Sequence, residues 1–218
     1  MEPAGVIFDL DGVLADSEQL WDRIRKQVVA ETGGDWKDGA SEAMLGMSTP
    51  EWSRYLVDEL GVPLTPQQVA ERVIDQMAKL YAEQPPLLPG GVQAARAIAA
   101  RYPTAIASSA PPRIIQAFLE VTDLLDAVRY TVSSEQVGAG KPAPDVYLDA
   151  AEGLGIDPRH GVAVEDSSNG IKAAVAAGTT VFAVPNPHFP PPQEVLRTAY
   201  RVLDDIGQLP AAIAELDR

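Results

Sequence analysis

With 218 residues, 46% of them hydrophobic and 22% charged, the chain can bury a sizeable core as one large domain or one domain with a small accessory. The absence of cysteine excludes disulfides, zinc–thiolate sites and thiol nucleophiles, and two histidines, His160 and His188, leave little material for a histidine-pair mechanism. A net charge of −14 without a basic stripe argues against a nucleic-acid surface, and a site for a phosphate ester would need local positive charge from a metal ion and a lysine.

In chain order, residues 6–8 form a short apolar run read as the first strand, which stops at Asp9-Leu10-Asp11-Gly12. From 16 to 84 no strand pattern is found. Asp16 with Gln19 reads as a helix-capping pair, and Leu20, Ile24 and Val28 then share a helical face. Trp52, Leu56 and Leu60 repeat that spacing, as do Val69, Val73, Met77 and Leu80 with Tyr81. The Pro-rich segment 84–91 is the expected return hinge. Strands are then expected at 104–108, 127–132, 161–165, 179–184 and 200–203, alternating with helical patterns at 92–100, 114–119, 144–154 and 171–177. The alternation predicts an α/β fold, a doubly wound parallel sheet with an inserted helical cap. Residues 1–15 and 85–218 would form the discontinuous core and 16–84 the cap, placed over the carboxyl ends of the strands, where open parallel sheets bind ligands. No apolar run is long enough to cross a bilayer, and the first residues lack the basic start and apolar core of a secretory signal, so the expected location is cytoplasmic.

Four segments carry chemistry. Asp9 and Asp11, two apart on extended chain, point to the same side, and Gly12 allows a sharp turn. Such a pair can hold a hard cation, and one carboxylate can attack while the other moves protons; alternatively both solvate a turn. Ser108 ends the 104–108 strand and can bind a phosphate oxygen or cap the next helix. Lys141 lies in the Gly-rich run Gly138-Ala139-Gly140-Lys141-Pro142. A P-loop is rejected there, because Glu135 replaces the first glycine and Pro142 the metal-binding hydroxyl. That leaves a point charge for phosphate or a solvated surface lysine. Glu165-Asp166 ends another strand, with Asp166 as a metal ligand and Glu165 holding a water on the metal, or both simply favoured by a helix N-terminus. Together, four strand ends bring a carboxylate pair, a serine, a lysine and a second carboxylate pair to one sheet edge, a set able to neutralise, position and attack a phosphoryl group.

In these four motifs, Asp9-x-Asp11-Gly12, Ser108, Gly140-Lys141-Pro142 and Glu165-Asp166, the sequence resembles the haloacid dehalogenase superfamily of phosphohydrolases. The resemblance spans essentially the whole chain and is strongest to the β-phosphoglucomutase-like branch. Residues 16–23 and Leu87-Leu88-Pro89-Gly90 are similar to 2-deoxyglucose-6-phosphate and hexitol-phosphate phosphatases. The resemblance implies that Asp9 attacks phosphorus to form an aspartyl-phosphate, while Asp11 protonates the leaving oxygen and later activates water. It further implies Mg2+ held by Asp9, Asp166 and the backbone carbonyl of Asp11. Ser108, with its neighbour Ser109, and Lys141 would hold the phosphoryl oxygens. The expected partner is a small phosphorylated metabolite, a sugar phosphate, and nothing requires more than a monomer.

Departures sort the activities. Dehalogenases and phosphonoacetaldehyde hydrolases lack the second aspartate that Asp11 supplies. The mutase has a histidine where Trp21 stands, and an arginine after the Gly-x-Ser that here reads Gly46-Met47-Ser48-Thr49. A phosphatase is therefore expected, with a sugar phosphomutase and a non-catalytic metabolite binder as alternatives. Trp21 is the cap residue expected to face substrate. Met47 and Trp52 are read as core, His160 as a surface histidine and His188 as an exposed loop residue.

Overall fold

The computed structural model describes residues 2–44, 47–187 and 190–216. The chain runs β1 (Gly5–Phe8), α1 (Glu18–Thr32), α2 (Ala40–Ala43), α3 (Thr49–Asp58), α4 (Pro66–Glu83), α5 (Gly91–Ala99), β2 (Thr104–Ser108), α6 (Pro112–Val121) and β3 (Tyr130–Ser133). It continues through α7 (Asp145–Leu154), β4 (Gly161–Glu165), α8 (Ser168–Ala176), β5 (Thr180–Ala183), α9 (Gln193–Leu196), β6 (Arg201–Val202) and α10 (Leu209–Ala214). The strands form one six-stranded sheet in the order β3-β2-β1-β4-β5-β6, every pairing parallel.

β1, β2 and β4 are buried along their whole length, because helices cover both faces of the sheet. Alternate side chains therefore enter two apolar layers. Val6 and Phe8 join the cluster on one face, and Ile7 joins Val146, Tyr147 and Ile171 on the other. The first cluster runs on without a break into α1, α3 and α4, through Trp21, Ile24, Val28, Trp52, Leu56, Val73 and Met77.

The helical stretch is built as its sequence suggests. Pro66 opens α4, Thr65 and Gln68 cap it reciprocally, and Val69, Val73, Met77 and Tyr81 form its buried stripe. α3 has the same device in Ser48 and Glu51. The chain leaves and re-enters the sheet layer through two paired segments, with the Asp16 amide on the Pro86 carbonyl at 2.7 Å and the Leu88 amide on the Leu14 carbonyl at 3.0 Å.

Four expectations are corrected. The strand expected from 127 begins at Tyr130; Ala127 and Val128 belong to a turn on the Leu124 carbonyl, whose apolar residues pack on the core without extending. The strands expected at 179–184 and 200–203 are shorter at both ends, at Thr180–Ala183 and Arg201–Val202. The Asp16–Gln19 cap does not form. Ser17 is the N-cap of α1, and its hydroxyl makes no capping bond because it donates to Asp11 instead. Among the described residues no helix is long and apolar enough to cross a membrane.

Candidate active site

β1 delivers Asp9 to the carboxyl edge of the sheet, where the Asp9 amide bonds the Val164 carbonyl of β4 at 3.0 Å. The chain then folds back tightly: the amides of Leu14 and Ala15 both reach the Leu10 carbonyl at 2.9 Å. Gly12 adopts φ +80°, and a Cβ there would lie 1.9 Å from Oδ2 of Asp166. Only glycine satisfies both the left-handed backbone and the close approach of that carboxylate.

Lys141 is buried, so its surface reading is excluded. Its ammonium donates to Asp9 Oδ1 at 2.8 Å, Glu165 Oε1 at 2.7 Å and the Ala107 carbonyl at 3.1 Å, which uses all three of its protons. Burial opposes the charge, but the carboxylates of Asp9 and Glu165 outweigh it and raise the lysine pKa.

Glu165 has no exposed surface. Its Oε1 accepts from Lys141 and from the Tyr147 hydroxyl, each at 2.7 Å. Its Oε2 accepts from the amides of Asp166 and Ser167 and from the Ser167 hydroxyl at 3.1–3.2 Å. Both oxygens are thus occupied by protein donors, and what Glu165 holds directly is Lys141. Gly170 is required beside it, since a Cβ there would stand 1.7 Å from Oε1.

Ligand atoms of Asp9, Glu165 and Asp166 lie within 4.8 Å of one another, all three residues buried. With Glu165 committed, Asp9 and Asp166 are the carboxylates left for a cation. Burial pushes the Asp9 carboxyl up to about 8, Lys141 opposing and Glu165 and Asp11 adding to the rise. Burial, then Glu165 and Asp9, also raise Asp166 well above the carboxylate range. Two buried carboxylates that resist ionisation in the bare protein could serve together as oxygen donors to a hard cation.

Asp11 stands apart from that cluster. Its Oδ1 accepts from the Ser17 hydroxyl and, at 3.2 Å, from the Trp21 indole N–H. Burial raises its pKa, and those two donors work against the rise.

A cavity of about 170 Å³ opens above these groups, lined at its floor by Asp9, Asp11, Lys141 and Asp166. Its volume is below the roughly 300–1,000 Å³ usual for drug-sized ligands, which suits a small metabolite. Ser109 lines the cavity and Ser108 does not. Ser108 is fully buried, its Oγ accepting from the Ala110 amide at 3.0 Å, which leaves the hydroxyl proton to be donated. Trp21 lines the cavity with its indole N–H turned to Asp11, and Met47 and Trp52, read as core, line it too. His160 is exposed in the turn before β4, whereas His188 and Gly46 lie outside the described residues.

Sequence reasoning missed Ser17 and Tyr147, and also Glu18, Arg25 and Asn186, which line the cavity. Tyr147 looks like any core aromatic of α7. Arg25 did carry a signal, being a charge one helical turn after Trp21 on the face that α1 buries.

A family model described as haloacid dehalogenase-like hydrolase matches residues 3–178. Hexitol phosphatase B of Escherichia coli K12 is 38% identical over 190 residues, covering 83% of each chain. A phosphorylated carbohydrates phosphatase of Thermotoga maritima is 30% identical over 174 residues, 79% of this chain and 81% of that one. The crystal structure of CbbY from Rhodobacter sphaeroides in complex with phosphate superposes with a TM-score of 0.82 at 27% identity, over 95% of this chain and 96% of that one.

Proposed function

The chain belongs to the haloacid dehalogenase-like hydrolases and is a phosphoric monoester hydrolase; from that premise we propose that it dephosphorylates a small sugar or sugar-alcohol phosphate, with magnesium bound, through an aspartyl-phosphate on Asp9. One observation carries this reading: a buried ammonium, Lys141, fixes Oδ1 of Asp9 at 2.8 Å on the floor of a cavity that Asp11 and Asp166 share.

The Asp9 oxygen not held as the lysine's partner attacks phosphorus, and the bond from phosphorus to the ester oxygen breaks. Asp11 gives that oxygen its proton. Ser17 and Trp21 hold Oδ1 of Asp11, which leaves Oδ2 to carry the proton. Asp11 then takes a proton from water, which attacks the same phosphorus, frees the Asp9 carboxylate and leaves inorganic phosphate. Ser108 and Ser109 donate to phosphoryl oxygens, and Lys141, its three protons taken by Asp9, Glu165 and the Ala107 carbonyl, attracts the phosphoryl group by its charge. Glu165 and Tyr147 keep Lys141 in place. Asp9 and Asp166, with the carbonyl of Asp11, would hold magnesium, which would supply positive charge to neutralise the phosphoryl group.

Residues 16–84 act as a cap over a core of 1–15 and 85–218; the lining of the cavity by Trp21, Met47 and Trp52 supports this. The sugar phosphate as substrate is supported by the names and identity of the two curated relatives.

The test is phosphate release from a panel of small phosphate esters, with and without magnesium, alongside Asp9→Asn. Magnesium-dependent release is expected, with the variant at least ~1,000-fold slower, since no neighbour can replace the nucleophile. Isomerised product without free phosphate would instead make the enzyme a mutase, and equal rates in both proteins would remove Asp9 from the chemistry.

A further inference from the structure

α1 presents Glu18 and Arg25 to the cavity, seven residues apart and so on one helical face, about 10 Å along the axis. Arg25 is only 9% exposed, yet among the described residues it has no hydrogen bond and no ion pair. Its guanidinium is clamped instead between two indoles, 5.4 Å from the Trp21 centroid and 5.0 Å from that of Trp52. The Nε is a buried donor with no partner. Glu18 lines the same wall and likewise has no hydrogen-bond or ion-pair partner among the described residues. The two feel each other's charge without closing a salt bridge.

A buried donor fork and an acceptor that face one cavity unpaired are costly unless a ligand satisfies them. Three kinds of leaving group are distinguishable. An apolar one would leave both charges unsatisfied. One bearing a second anion would meet Arg25 but also Glu18 and the nearby Asp11. A neutral polyol satisfies both, because each hydroxyl both donates and accepts.

We infer that Glu18 and Arg25 are the specificity residues of this enzyme, reading separate hydroxyls of a neutral, polyhydroxylated leaving group, with Trp21 and Trp52 fixing the guanidinium. The inference rests on the phosphatase reading above and adds to it the recognising side chains and the exclusion of doubly anionic esters.

Three probes separate the cases: sorbitol 6-phosphate, phenyl phosphate and 3-phosphoglycerate, each with magnesium. Arg25→Met keeps an unbranched stem between the indoles. It should lower kcat/KM for sorbitol 6-phosphate by roughly 10- to 100-fold, chiefly through KM, and that for phenyl phosphate far less. Glu18→Gln should show the same selectivity. Arg25→Lys keeps the charge but not the fork, so it guards against a folding failure and should show the same selective loss. Uniform losses on all three esters, or full activity of Arg25→Lys, would overturn the inference. So would a wild-type preference for 3-phosphoglycerate that Arg25→Met abolishes, which would make the site an anion site. Wild-type silence on every ester, phenyl phosphate included, would instead overturn the hydrolase reading beneath it.

Discussion

At the level of single residues, the site is a buried ion network in which each group is held by another. Lys141 holds Asp9, Glu165 holds Lys141, and Tyr147 holds Glu165. Removing the middle member strands two carboxylates in a dry setting, so Lys141→Ala should weaken both phosphate binding and turnover. Tyr147→Phe is the finer probe. It deletes one hydrogen bond to a charged group, about 1.5–3 kcal/mol, with little change in packing. If that bond orients Lys141, kcat/KM should fall roughly 10- to 100-fold while the melting temperature moves little. An unchanged rate would reduce Tyr147 to a core aromatic.

The elements that carry these residues are secured by local chemistry far from the site. α4 begins where Gln68's amide meets the Thr65 hydroxyl at 3.2 Å and its side chain returns to the Thr65 amide at 3.0 Å. Thr65→Ala should therefore cost about 1 kcal/mol in chemical denaturation and leave kcat as it is. A matching loss of activity would show that α4 transmits its ends to the cavity. Elements with this kind of local signature were legible in the sequence. The start of the 127–132 strand was misplaced because apolar residues of a turn look like strand residues when only their hydropathy is seen; Ala127 and Val128 reach the core from a turn, and the strand follows from Tyr130. Similarly, Asp16 and Gln19 have the spacing of a cap, but Ser17 fills the cap position and gives its hydroxyl to Asp11.

For the whole molecule, the strand order decides where chemistry collects. β1 lies between β2 and β4, so Asp9, Ser108 and Asp166 come from three adjacent strand ends although the sequence separates them widely. The same convergence burdens the bare fold with like charge. Asp9, pushed up to about 8 from its ordinary value of 3.8 chiefly by burial, keeps its proton in the folded state at pH values where the unfolded chain has lost it. Asp11 and Asp166 shift in the same direction. The contribution of Asp9 to stability is complete below pH ~4 and is lost as pH rises through about 8. Protein stripped with a chelator should thus melt at lower temperature at pH 8 than at pH 5, and added magnesium should raise the melting temperature more at pH 8. A magnesium effect independent of pH would place the cation away from these carboxylates.

The sequence by itself determined the alternation of strands and helices, the helical insertion and the identity of the groups at the strand ends. These are written in local patterns: hydropathy period, glycine at a turn, carboxylates two residues apart. Only the tertiary structure decided what those groups do to one another. Lys141, for which the sequence left both a phosphate-binding and a surface reading open, is buried because Asp9 and Glu165, 132 and 24 residues away in the chain, compensate its charge. Glu165 turned out to hold the lysine because Tyr147 and two backbone amides claim its remaining lone pairs. Arg25 acquired its place from Trp52, which lies on a different helix. Burial and charge compensation depend on neighbours through space, and no spacing along a chain specifies them.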